Sequence, residues 1–245
     1  MQSEQHFVHT IYVLFKKELL TYFNSPIAYI YIAVFLIVGN WLFMKPFFLL
    51  GELSMRGYFN LLPWIFLFLT PAITMRLWSE EKKSGTIEFL LTLPVSNWQL
   101  VLAKFFGAFV FLALSLALTL TIPLSLSGLG SLDLGPVIGG YLAALGLGAA
   151  YLSLGLVMSS LTKNLIIALL ASLVACFIFF IIGQDFVVAS LPQILAGICR
   201  FLSLGAHFDN ITRGVLDSRD LIYYLSFTYF FLWINVKILE ARKWQ

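Results

Sequence analysis

Charged residues are scarce in this chain. Lys, Arg, Asp and Glu make up 11% of its 245 positions, against 60% hydrophobic residues. A soluble domain carries roughly 25% charged residues, so an ordinary soluble protein is excluded and an integral membrane protein is predicted. The apolar runs are continuous, without the two-residue alternation of a membrane barrel, which favours helices. The net charge of +3 is too small to indicate a nucleic-acid partner.

Groups for enzyme chemistry are also few, with three histidines, two cysteines and no H-E-x-x-H or G-x-S-x-G motif. The Gly-Lys pair of a phosphate loop does not occur. We therefore expect no catalytic residue, no metal site and no cofactor bound by this chain. Cys176 falls in a predicted span and Cys199 in a loop. His207 precedes Asp209 by two positions in a loop, which favours a turn or cap over a metal site.

Six apolar runs are long enough to approach the roughly 20 residues that cross a bilayer. They are Ile27–Met44, Leu61–Leu77, Leu100–Pro123, Val137–Leu161, Leu165–Gly183 and Leu221–Val236. Lys and Arg residues divide ten against five between the two sides, which favours both termini in the cytoplasm. Lys45 and Lys104 lie near span ends, where their long side chains could reach the interface.

Another apolar run, Phe186–Leu204, could be a seventh span, but Pro192, Gly197 and Arg200 interrupt it. We expect a re-entrant or interfacial pair of short helices instead, within an outer segment covering residues 186–219. This segment could gate an exit, dock an extracytoplasmic accessory protein, or simply cap the helix ends.

Residues 7–23 have the pattern of an amphipathic helix lying along the inner leaflet. Its apolar face is formed by Ile11, Leu14, Phe15, Leu19 and Tyr22. Lys16 and Lys17 turn away from that face toward anionic headgroups, whereas Glu18 intrudes on it. The "NSP" at residues 24–26 is expected to end the helix.

The stretch "RLWSEEKKSGTIEFLLTLPVSNWQL", residues 76–100, is polar and dense in charge. Gly85 is expected to start a short helix that Pro94 stops, with Glu88 near its exposed amides. Ser96 and Gln99 have the spacing of a capping box for the third span. From the residues alone, a capped cytoplasmic hairpin remains a competing interpretation.

Small residues recur at four-residue spacing in the fourth span, at Gly140, Ala144 and Gly148. Such stripes let helices approach closely in lipid. A packing contact within the same chain is the favoured interpretation.

The segment "RLWSEEKKSGTIEFLLTLPVSNWQLVLAKF" resembles the type-2 ABC exporter permeases, whose pattern runs E-x-x-x-G-T-x-E-x-L-L-x-x-P-V-S. "FKKELLTYFNSPIAYIY" is similar to the connecting helix and first-span start of that family. "HFDNITRGVLDSRDLIYYLS" resembles its gliding-motility and copper-enzyme-maturation branch.

The resemblance implies one six-span permease domain over residues 1–245, in the cell membrane. Residues 79–94 would be a coupling segment that docks on a separate cytoplasmic ATPase, which would bind ATP and Mg²⁺. Two ATPase copies and a second permease half, identical or not, would complete the complex among membrane lipids. An alternative is an ATPase-driven anchor or force-transmitting scaffold that moves no substrate.

Carried over to this chain, the resemblance assigns motif positions to Glu80, Gly85, Thr86 and Glu88. Glu81, Lys82 and Lys83 complete the charged cluster that approaches the coupling helix. Glu18 takes the acidic position of the connecting helix, beside Lys16 and Lys17.

Overall fold

The computed structural model describes residues 2–50, 54–92, 94–128, 133–214 and 217–242, and the regular secondary structure of these residues is entirely helical. The twelve helices within the described ranges are α1 (Gln2–Phe23), α2 (Pro26–Leu50), α3 (Arg56–Ser84), α4 (Thr86–Thr92), α5 (Asn97–Leu118), α6 (Thr121–Ser127), α7 (Leu134–Leu161), α8 (Leu165–Ile181), α9 (Asp185–Val188), α10 (Gln193–Leu202), α11 (Leu204–Thr212) and α12 (Ser218–Arg242).

Five stretches of these helices are long and apolar enough to cross a membrane. They are Pro26–Lys45, Arg56–Ser84, Asn97–Ser127, Leu134–Leu161 and Ser218–Ala241. The remaining predicted span corresponds to α8, which is apolar but has only 17 residues. At 1.5 Å per residue α8 is about 26 Å long, a little short of a hydrocarbon core of about 30 Å. The expected all-helical membrane fold is confirmed, with five clear spans and one short apolar helix.

Helix α7 lies at the centre of the bundle and packs most extensively against α3. Its small residues face large side chains of this same chain. A Cβ on Gly140 would stand 2.5 Å from Cγ of Phe59 in α3, and one on Gly148 would stand 2.9 Å from a Leu112 methyl group in α5. Ala144, between them, is completely buried. The stripe therefore sets the distance between helices inside one chain.

The outer segment forms three short helices, α9, α10 and α11, rather than a seventh span. Cys199 lies within α10 and not in a loop, because that helix runs through Gly197 without a break. His207 and Asp209 were expected in a loop, but both lie in α11, and Nδ1 of His207 contacts Asp220 at the start of α12. This contact holds α11 against α12.

The capping box predicted for the third span is present at the start of α5. The backbone N–H of Gln99 donates to Ser96 Oγ at 3.3 Å, and the backbone N–H of Ser96 donates to Gln99 Oε1 at 2.8 Å. The cap satisfies two groups that the first turn of a helix leaves without partners.

We expect Ser96→Ala to lower the free energy of unfolding by about 1 kcal/mol, because the side-chain acceptor of the cap is lost. Thermal unfolding of the detergent-solubilised protein measures the effect. Ser190→Ala is the matched control, since Ser190 is exposed just after α9. Equal melting temperatures for the two variants would contradict the prediction.

Candidate functional site

The charged cluster belongs to a long helix rather than to a loop. The second span was predicted to end at Leu77, but α3 continues to Ser84 and carries Glu80, Glu81, Lys82 and Lys83 on its last turns. Gly85 does not start the next helix. It closes α3 in the left-handed conformation, with φ +76°, and α4 begins one residue later. The short predicted helix therefore exists, joined to α3 by a single glycine.

The four charges of the cluster separate into an inner and an outer pair. Lys82 is buried, and its Nζ donates to the carbonyl oxygen of Ser160 near the end of α7. Glu81 also points inward, whereas Glu80 and Lys83 are exposed. The motif E-x-x-x-G places its first acidic residue four positions before Gly85, which is Glu81; assigning that position to Glu80 was wrong by one residue.

Lys104 joins three helices at this end of the bundle, which we call the charged end. Its Nζ lies 2.6 Å from Oε1 of Glu81 in α3 and 3.1 Å from Oε1 of Glu18 in α1. The Lys104 side chain is only 4% exposed, and the carboxylates are 18% and 17% exposed. The Trp78 ring lies below the ammonium group, 4.9 Å from its centroid. One buried cation therefore pairs with carboxylates from two other helices.

Sequence reasoning missed the role of Lys104. The residue was expected at a span end with its side chain reaching the interface, but α5 begins at Asn97 and places Lys104 two turns inside the helix. Its side chain is covered because α1 packs along α5. The available signal was Glu18, a lone carboxylate on an otherwise apolar helix face, which requires a buried cation nearby.

Helix α1 packs on α5 through the face that the sequence predicted. Ile11, Leu14, Phe15, Leu19 and Tyr22 are partly buried, while Lys16 and Lys17 are exposed. A Cβ on Gly107 of α5 would stand 3.1 Å from Cβ of Glu18, so this glycine lets the helices approach at the Lys104 cluster. Gln99 Nε2 donates to the carbonyl oxygen of Phe7 at 3.2 Å. The predicted end of α1 at residue 23 is also confirmed.

Helix α4 presents a mixed surface at the charged end. Ile87 is buried, and Leu90 packs against the core. Thr86 and Glu88 are exposed, and Phe89 is 68% exposed. The side chain of Leu91 lies outside the described residues. The sequence did not indicate a role for Phe89, because one aromatic residue in an apolar chain does not by itself show whether it is buried or exposed.

The last turns of α3 are held to α7 as well as to α1 and α5. The backbone amides of Trp78 and Ser79 donate to Ser159 Oγ at 3.1 and 3.2 Å, and that hydroxyl donates to the Met75 carbonyl oxygen at 3.1 Å. With the Lys82 contact to Ser160, these bonds fix the charged end of α3 on α7. The charged end of α3 is therefore held by contacts with three other helices, α1, α5 and α7.

Other polar groups lie apart from the charged end. Asp185, exposed at the start of α9, pairs with Arg200 at 3.1 Å. Within the described ranges, no three His, Cys, Asp or Glu side chains cluster in a way that could hold a metal ion.

Residues 56–238 match the model of a protein family described as "ABC-2 family transporter protein". The matched region contains α3, α4, Lys104 and the small-residue stripe of α7. Comparison with curated proteins gives no match.

Proposed function

This chain belongs to the ABC-2 family of transporter proteins, and on that premise we propose that it is the permease through which a separate cytoplasmic ATPase drives export. The family supports an integral membrane subunit of an ABC transporter. The ATPase coupling and the outward direction are our proposal, and the observation that carries it is the charged end, where contacts hold α3 to α1, α5 and α7.

We place α4 as the coupling helix. It is short and lies at the tip of α3, and its exposed side chains include Glu88 and Phe89. Glu80 and Lys83 add charges of both signs beside it. Glu81 and Lys82 face inward. In this proposal they hold the end of α3 in place and do not touch the ATPase.

Helix α1 acts as the connecting helix. Lys16 and Lys17 are exposed toward anionic headgroups or the ATPase, while Glu18 ties the helix to α3 through Lys104. The proposed coupling moves α1, α3 and α5 as one body when the ATPase subunits close.

Six crossings follow if α8 is counted as the short fifth span. Its exposed surface is apolar, with Ile166, Leu170 and Val174 each more than half exposed, which suits contact with lipid. Seventeen residues lie at the lower limit for a crossing. Six spans put both termini on the same side of the membrane, and in this proposal the distribution of Lys and Arg makes that side the cytoplasm of a cell that carries the complex in its plasma or inner membrane.

The proposed complex contains two permease halves, identical or different, and two ATPase subunits that bind ATP and Mg²⁺. An extracytoplasmic accessory protein could dock on α9–α11. The gliding-motility and copper-enzyme-maturation branch rests on the likeness of residues 207–226 alone. Solute movement into reconstituted vesicles would separate export from the alternative of a force-transmitting scaffold.

Affinity purification of the tagged chain from native membranes tests the proposal. We expect a phosphate-loop ATPase at equal stoichiometry, with ATP hydrolysis in the same sample. Absence of any ATPase, after controls for loss in detergent, would overturn the coupling proposal.

Two variants of α4 are expected to uncouple the ATPase while the bundle stays folded. Phe89→Ala should weaken association with the ATPase by at least about tenfold, because a large exposed aromatic side chain is the typical anchor of an interface. Glu88→Ala should lower the coupled ATPase rate. Pull-down titration and ATP hydrolysis measure the two effects.

Phe186→Ala provides the matched control, since Phe186 is also 68% exposed but lies in α9, away from the charged end. Full ATPase affinity in Phe89→Ala, or an equal loss in Phe186→Ala, would remove α4 from the docking surface.

A further inference from the structure

A cavity of about 480 Å³ lies at the charged end between α1, α2, α3 and α5. Along α3 the cavity wall changes from apolar, at Leu69 and Ile73, to charged, at Arg76 and Glu80. These residues cover three turns, about 16 Å of helix. The cavity is therefore apolar toward the bundle and charged toward its end, the polarity of a single lipid molecule.

The α2 wall of the cavity is open to the side. Ile27, Ile30 and Val34 line it and are 47%, 61% and 41% exposed. Because α2 is a membrane-spanning helix, these side chains face hydrocarbon where they do not face the cavity. An acyl chain could enter between them without crossing water.

Polar atoms on the cavity-lining residues lack hydrogen-bond partners. Among the described residues, Tyr22 Oη, Arg76 Nε and Glu81 Oε2 are buried and make no hydrogen bond, and the nearest charge to Arg76 Nε is Oε2 of Glu80 at the ion-pair distance of 3.8 Å. A buried polar atom without a hydrogen-bond partner is energetically unfavourable. Three such atoms around one cavity indicate a ligand that offers both hydrogen-bond donors and acceptors.

The charges around the cavity indicate which headgroup fits. Lys17, Arg76 and Lys104 balance Glu18, Glu80 and Glu81, so the six groups sum to zero. A purely anionic headgroup would meet three carboxylates, whereas a zwitterion can place a phosphate near Arg76 and an amine near Glu81. A primary ammonium group donates hydrogen bonds to a carboxylate, which a trimethylammonium group cannot do.

We propose that this cavity binds an aminophospholipid of the inner leaflet, with its phosphate toward Arg76 and Tyr22 and its primary amine toward Glu81. The acyl chain lies along Tyr31, Val34 and Ile73. This site is separate from α4, and its occupation requires no ATPase.

Native mass spectrometry of the purified full-length chain tests the proposal. The delipidated protein is mixed with equal amounts of phosphatidylethanolamine, phosphatidylcholine and phosphatidylglycerol of the same acyl composition. We expect retention of phosphatidylethanolamine about tenfold above the other two, the equivalent of one charge-assisted hydrogen bond. Equal retention of the three lipids, or preference for phosphatidylglycerol, would overturn the headgroup assignment.

Two variants test the location by different means. Val34→Trp fills the apolar wall, and Arg76→Gln removes the phosphate partner with little change in volume; both should abolish the preference. Ile37→Trp and Lys83→Gln are their controls, being exposed on the same helices outside the cavity. An unchanged preference in both test variants would overturn the site.

Free phosphoethanolamine separates a lipid from a soluble ligand with the same headgroup. We expect millimolar phosphoethanolamine not to displace the lipid, because the apolar wall contributes to binding. Displacement at the same concentration as the lipid would overturn a lipid site. All of these lipid-binding experiments use the chain without an ATPase. A negative result in them would therefore leave the result of the ATPase purification unaffected.

Discussion

Lys104→Met is expected to destabilise the protein by about 3–5 kcal/mol, the usual cost of removing one partner from a buried ion pair. Two carboxylates, Glu18 and Glu81, would be left 17% and 18% exposed with no cation between them. Their repulsion would separate α1 from α3. We therefore expect the loss of stability to be accompanied by loss of ATPase coupling, even where the protein can still be purified.

Thermal unfolding and ATP hydrolysis in the purified complex measure the two effects. Lys237→Met is the control, because Lys237 pairs with Glu240 at 2.8 Å but is 55% exposed, and exposed pairs contribute about 0–1 kcal/mol. The triple variant Lys104→Met, Glu18→Gln and Glu81→Gln should recover stability but not coupling. A melting temperature for Lys104→Met equal to that of the control would refute the role of the cluster.

Gly155→Ala is expected to disturb the packing of α7 on α3 at the level of Thr74. A Cβ on Gly155 would stand 2.7 Å from Cβ of Thr74. Rotation of the threonine cannot relieve this contact, because a Cβ position is set by the backbone. The helices must move apart, so we expect a loss of about 1–3 kcal/mol despite the better helix propensity of alanine.

Gly197→Ala is the matched control, since a Cβ at Gly197 in α10 meets no atom within 4 Å. Melting temperatures of the two variants in the same detergent give the comparison. If Gly155→Ala melts at or above the wild-type temperature, the close approach of α3 and α7 is not required for stability.

Local features of this fold could be predicted from the sequence. The exposed and packed faces of α1 follow from residue spacing, and its end follows from the proline at position 26. The Ser96–Gln99 cap is encoded within four residues. Each of these depends on neighbours in the chain, so no tertiary information was needed.

Features that depend on contacts between distant segments could not be predicted. Charge at residues 80–83 indicated a solvated loop, yet α3 continues because Lys82 and Glu81 find partners on α7 and α5. Lys104 looked like an ordinary lysine near a span end until α1 covered it. A glycine such as Gly85 can either start a helix or end one in the left-handed conformation. Which of the two occurs here depends on how far α3 extends.

Two attachments of α1 to α5 fix the helical phase of the connecting helix. Phe7 is held by Gln99, and Glu18 by Lys104. Inserting one residue between them would rotate Glu18 by about 100° relative to Phe7, so both bonds could not form together. Residues 8–17 are therefore free to change in identity on their exposed face during evolution, but not in number. We expect homologues to conserve the length of this segment.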